Sequence, residues 1–200
     1  MVNRIIDEIN ISLENGCYMA ALSLALMLPD ICAKAKFPNE KSNKKRYVDW
    51  YDEYIGQYEI APDQDEENQM PYLSGEVVYS LRNSVLHQGT PNIADGKGNI
   101  NKFVLVVQRQ NGFNIYADTS AIITHNGDIA NAIREYRVNI GRICLIITAT
   151  AKKFYSDNKE KFNFFNYTVI DMDKETEMLR RLGFLKMVEP LIEEIDYGNK

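Results

Sequence analysis

The sequence predicts a mainly α-helical protein whose C-terminal part is α+β. Three observations carry this. Apolar residues recur at spacings of three and four through most of the first 90 positions. Pro91, Gly96 and Gly98 then break the pattern. Beyond them the period shortens toward two in Phe103–Val107 and Phe113–Ala117. With 200 residues and 45% hydrophobic content, the chain can fill one well-buried core.

Each element follows from its own residues. Ile5 or Ile6, Ile9 and Leu13 keep helical spacing up to Asn15-Gly16, giving a first helix. Cys17 to about Ala35 gives a second, nearly all-apolar helix that must be buried on most sides, and Pro29 within it should bend it or begin a new turn. Lys44 to Ile55 is a third helix with Tyr47, Trp50, Tyr51 and Tyr54 along one side, a stripe that suits a core or dimer contact better than a base-stacking platform. Gln57 to Pro71 reads as a long polar connection. Ser74 as N-cap, Gly89 as left-handed C-terminal cap and Pro91 just beyond bracket a fourth helix of about 75–88. On it Val78, Leu81 and Val85 should be buried, with Ser80, Asn83, Ser84 and His87 opposite and Arg82 at the apolar edge.

After the Thr90–Ile100 boundary, Phe103–Val107 and Phe113–Ala117 predict a β-hairpin turning at Asn111-Gly112. Ile129–Tyr136 and Asn139–Ser156 predict helices, the second capped by Asn139 and striped by Ile140, Ile143, Ile147, Ala151 and Phe154. An extended piece at Tyr167–Ile170 precedes a last amphipathic helix from about Lys174, carrying Leu179, Leu182, Leu185, Met187 and Val188. The expected organisation is a helical core over residues 1–92 with an extension over 93–200 packed on it.

Composition excludes several classes. A net charge of -5 and a pI near 5.2 argue against broad nucleic-acid binding, which rests on a basic face, so any RNA contact must be local. The one basic stretch, Lys41-Ser-Asn-Lys44-Lys45-Arg46, reads first as a solvated loop and helix start. The acidic run Asp63-Gln-Asp65-Glu66-Glu67 lacks periodicity and reads as a loop rather than a cation site. Cys17, Cys32 and Cys144 are odd in number and set in apolar surroundings, so buried free thiols are expected. No metal and no cofactor is expected, since the chain has two histidines, no Cys-x-x-Cys, no glycine-rich phosphate loop and no nucleophile elbow. His125, in Thr124-His125-Asn126-Gly127, reads as a surface turn. No apolar run reaches the ~18 residues of a membrane span, and Met1-Val2-Asn3-Arg4 leads into an amphipathic helix, so a soluble, cytoplasmic protein is expected.

In so histidine-poor a chain, the placement of His87 five residues after Arg82 is the strongest chemical signal. On a regular helix the two lie roughly 140° apart, so aiming both at one small target needs distortion or a second copy of the chain. A homodimer, with two such helices about a two-fold axis, supplies the second copy.

The motif, Arg82-Asn-Ser-Val-Leu-His87 after three amphipathic helices, resembles the HEPN superfamily, whose catalytic members carry Arg-x(4 to 6)-His on the last core helix. The flanking Leu73-Ser74-Gly-Glu-Val-Val-Tyr-Ser-Leu, with Leu26-Met-Leu-Pro29-Asp30-Ile-Cys32 and Arg46-Tyr47-Val-Asp-Trp50-Tyr51 upstream, is similar to uncharacterised bacterial HEPN-like proteins over roughly the first 90 residues. The resemblance implies a HEPN-like antiparallel helical bundle and a metal-independent endoribonuclease, usually homodimeric, acting as a toxin or phage-defence effector and held by an antitoxin or other protein partner. It implies that His87 exchanges a proton with the ribose 2′-hydroxyl or the leaving oxygen, Arg82 holds the scissile phosphate, and Asn83 orients either. A helix C-terminus favours a cation at His87, which suits a general acid. The alternative from another class is a catalytically silent HEPN-like module in which the same helix provides a dimer or partner surface.

Overall fold

The computed structural model describes residues 1–59, 73–91, 102–107 and 135–183. The chain divides into two compact units, Met1–Phe165 and Asn166–Lys200.

The first unit is a helical bundle built around its most apolar helix. Helix α1 (Val2–Glu14) buries Val2, Ile5, Ile6 and Ile9, the i, i+3, i+4, i+7 stripe of an amphipathic helix. Gly16, at φ 73°, turns the chain into α2 (Tyr18–Lys36). This helix runs through Pro29 and buries ten side chains, among them Leu22, Leu26, Leu28 and Ile31. By length and apolar character α2 alone among the described residues could cross a membrane. Its apolar surface is instead packed by α1, α3 (Asn43–Tyr54) and α5 (Ile140–Asp157), an arrangement compatible with a soluble protein.

Ser42 caps α3, accepting a hydrogen bond at Oγ from the Lys45 amide at 3.2 Å. The aromatic stripe of α3 is core: Tyr47, Trp50 and Tyr51 are fully buried, and Trp50 and Tyr54 meet Phe154 of α5 edge to face at 5.8 and 5.2 Å. The aromatic stripe is therefore covered within one chain, by a helix the sequence assigned to the extension. The expected boundary at residue 92 is not a boundary of the core, because Ile143, Cys144, Ile147 and Ala151 of α5 belong to the same buried cluster as α1 to α4. Asn139 caps α5, its Oδ1 accepting from the Arg142 amide at 3.1 Å, and the expected stripe from Ile140 to Phe154 is buried.

Two strands, β1 (Lys102–Val106) and β2 (Glu135–Asn139), pair in parallel with Phe103 opposite Tyr136. Among the described residues β1 pairs with β2; the expected hairpin strand at 113–117 lies outside them. One expectation changes here. Tyr136 belongs to a strand rather than to the end of a helix, and the burial of Tyr136 and Val138, two apart, is the period-two signal of a strand face. Cys32 and Cys144 are buried thiols, with burial pushing Cys32 up and Cys144 up to about 12. Cys17 is exposed instead, because it precedes α2 at the turn rather than lying on its buried face.

In the second unit, Asp171 caps α6 (Met172–Arg181), accepting from the Lys174 amide at 3.2 Å. Tyr167, Val169 and Ile170 are exposed and form no strand. Leu185, Met187 and Val188 lie outside the described residues.

Candidate functional site

The motif helix α4 (Gly75–Asn83) begins as expected. Ser74 accepts at Oγ from the Val77 amide at 3.3 Å, and the Gly75 amide donates to Asp52 Oδ1 of α3 at 2.6 Å. Glycine is required at 75 because a Cβ there would stand 2.7 Å from the Val48 carbonyl oxygen and 2.9 Å from its Cα. This close approach seats α4 across α3, and Val77, Val78 and Leu81 anchor it in the core.

The helix does not end as a regular α-helix. Ser84–Gln88 form one π turn, closed by the Gly89 amide donating to the Ser84 carbonyl at 2.9 Å, with Gly89 left-handed at φ 62°. The wider turn changes which side chains share a face. Ser84, expected on the polar side, is buried, and its hydroxyl donates to the Thr90 carbonyl. Val85, expected in the buried stripe, is only partly buried. Residues five apart now lie side by side, so Arg82 Nη1 stands 2.6 Å from His87 Nε2. Within one chain, the distortion unites the two residues. A guanidinium only donates, so a hydrogen bond across this contact requires Nε2 to accept and the ring proton to sit on Nδ1.

Arg82 is held from several sides. Its Nε and Nη2 reach Asp30 Oδ2 of α2 at 3.1 and 3.0 Å, and Nη1 also donates to Asn83 Oδ1 at 3.0 Å. The guanidinium carbon lies 5.7 Å from the centre of the Tyr79 ring, which meets Tyr47 edge to face at 5.2 Å. Tyr47 in turn donates to the Leu26 carbonyl on α2 at 3.3 Å. The arginine thus rests on aromatic packing that ties α2, α3 and α4 together, while its nitrogens and the exposed His87 converge.

Structure therefore brings all three expected residues, Arg82, Asn83 and His87, into one cluster and adds Asp30. That carboxylate is the single acid of α2, set directly after a buried proline in an otherwise apolar stretch. Such a charge needs a cation nearby, which was the signal available for finding it. Burial raises the Asp30 carboxyl above its ordinary value; Arg82, and more weakly Arg46 and His87, pull the other way without overcoming burial. A raised carboxyl favours the folded state most in acid and loses that contribution as pH rises through its folded value. The stability of Asp30→Asn relative to wild type should accordingly improve from about pH 4 to pH 7 in urea titrations. An ordinary paired carboxylate gives the opposite slope.

The basic stretch is largely occupied. Lys44 pairs with Glu76 at 2.7 Å, Lys45 with Asp49, and Arg46 donates to the Glu40 carbonyl and to Asn43 Oδ1. Among the described residues no three His, Cys, Asp or Glu side chains are grouped to hold a metal ion; Asp63–Glu67 and His125 lie outside those residues. Compared with family models, with curated proteins and with solved structures, the chain matches none.

Proposed function

We propose that this chain is an endoribonuclease of HEPN type that cleaves RNA without a metal, through the ribose 2′-hydroxyl, at the Arg82/His87 site, and that it works as a homodimer. The observation that carries the reading is the 2.6 Å approach of Arg82 Nη1 to His87 Nε2 across the π turn. A π turn costs backbone regularity and recurs at functional sites, and here it sets a fixed cation beside an accepting imidazole nitrogen.

The chemistry follows from those two groups. The 2′-oxygen forms a bond to phosphorus, the bond to the 5′-oxygen breaks, and the product ends in a 2′,3′-cyclic phosphate. Once Arg82 Nη1 turns from Nε2 to the phosphate, the freed Nε2 lone pair takes the 2′-hydroxyl proton, which makes His87 a base rather than the acid favoured by the helix-end argument. Once protonated it can return that proton to the leaving 5′-oxygen. Arg82, oriented by Asp30, donates to the phosphate oxygens as their charge grows, and Asn83 steadies the guanidinium. A toxin or antiviral role, with a protein partner restraining it, follows from the same HEPN resemblance.

One observation favours the second reading, an interaction module. Asp30, Asn83 and His87 together occupy all three guanidinium nitrogens of Arg82, as in a structural tie. RNA cleavage in a chelator separates the two. The nuclease reading expects full activity and 3′ ends that are cyclic phosphate or its hydrolysed form. Loss of activity restored by added magnesium, or no cleavage of any RNA, refutes it.

A further inference from the structure

Resting on the nuclease reading, we infer that the cavity at the C-terminal end of α2, lined by Lys34, Lys36, Lys161 and Phe164, is a subsite for a single-stranded RNA nucleotide next to the one cleaved. The cavity measures about 480 Å³ and is completed by Ala35 and Pro38. Its position is tied to the motif site. Lys34 follows Asp30 by four residues, on the same face of α2 and about 6 Å further along the axis.

Its chemistry fits a nucleotide rather than a bare anion. In a chain of net charge -5, this cavity gathers three lysines and no carboxylate in its lining. Lys36 is already committed, donating to Glu53 Oε1 at 2.7 Å and to the Tyr54 hydroxyl at 3.0 Å, and Lys161 donates to Asn158 Oδ1 at 2.8 Å. No ion pair among the described residues involves Lys34; its ammonium lies 4.8 Å from the centre of the Phe164 ring. That ring is 41% exposed, unusual for a phenylalanine, and is backed by Phe162 in a near-parallel stack at 6.1 Å and 20°. Phe162 is itself buried and so backs the ring from the core side. An incoming nucleotide exchanges partners: the Lys34 ammonium moves from the ring to the phosphate, and the base takes the ring face it leaves. Aromatic stacking beside lysines is how proteins hold single strands without reading sequence.

The test uses the full chain and a fluorescent single-stranded RNA, measuring binding by anisotropy across a salt series and cleavage over a range of RNA concentrations. Phe164→Ala should weaken binding about tenfold and raise KM with kcat kept within about twofold, while Phe164→Tyr restores both. Lys34→Ala, independent of ring packing, should raise KM and flatten the salt slope by about 0.7, because one phosphate is no longer neutralised by the protein. If wild type cuts RNA but both variants match it in KM, affinity and salt slope, the subsite is refuted and the Arg82/His87 reading stands. If only Lys34→Ala has an effect and inorganic polyphosphate competes as well as RNA, the cavity holds a bare polyanion, and the nucleotide assignment falls. A wild type that neither binds nor cuts RNA overturns both readings.

Discussion

Replacing His87 with alanine is expected to slow RNA cleavage by about 10²- to 10⁴-fold, the range for removing a positioned acid or base. The same change should move stability by less than about 1 kcal/mol, because the ring is exposed at the end of a helix and packs against little. Arg82→Ala should cost about 10²- to 10³-fold through lost charge stabilisation. Its stability penalty should be larger, about 1 to 2 kcal/mol, since it strands the half-buried Asp30 carboxylate that now accepts a hydrogen bond from Nε and pairs with Nη2. Rates from single-turnover cleavage and stabilities from urea titration separate the two effects.

The largest stability loss should come from the core, at Trp50. This side chain is fully buried, stacks on Tyr54 at 5.3 Å and meets Phe154 edge to face at 5.8 Å, so it joins α3 to α5. Trp50→Ala should lose about 3 to 5 kcal/mol by opening a cavity that rigid neighbours cannot fill. Trp50→Phe should lose less than half of that. It keeps a ring in place and removes an indole N–H that has no hydrogen-bond partner among the described residues, a group costly to bury unpaired. Denaturation midpoints at constant slope check both values.

Much of the helical framework was legible because it rests on local pattern. The Ile5 to Ile9 stripe of α1, the uninterrupted apolar run of α2, the serine at 74 and the asparagine at 139 each set a boundary or a face within a few residues. What escaped depends on partners distant in sequence. The strand at Glu135–Asn139 exists through its pairing with Lys102–Val106, more than thirty positions upstream, and five residues give too short a period to outweigh a helical reading. The aromatic residues on α3 were open to a core or a dimer reading because the helix that covers them, α5, lay beyond the expected boundary of the core.

The site was half legible for a related reason. Arg82, Asn83 and His87 announced themselves by type and spacing, but regular helix geometry put the first and last on different sides. The π turn that unites them differs from an α turn by one hydrogen-bond register, and the close of the turn at a left-handed Gly89 is compatible with either. Asp30 stood 52 positions away and is linked to Arg82 only by the fold.

A double-mutant cycle on single-turnover RNA cleavage, with Arg82→Ala, His87→Ala and the two combined, tests the claim that the π turn makes one chemical unit of these residues. Strong non-additivity is expected, the double variant cleaving about as slowly as His87→Ala alone. Losses that simply multiply, or variants that cleave as fast as wild type while only their stability falls, would contradict the claim and leave Arg82 and His87 as a structural tie.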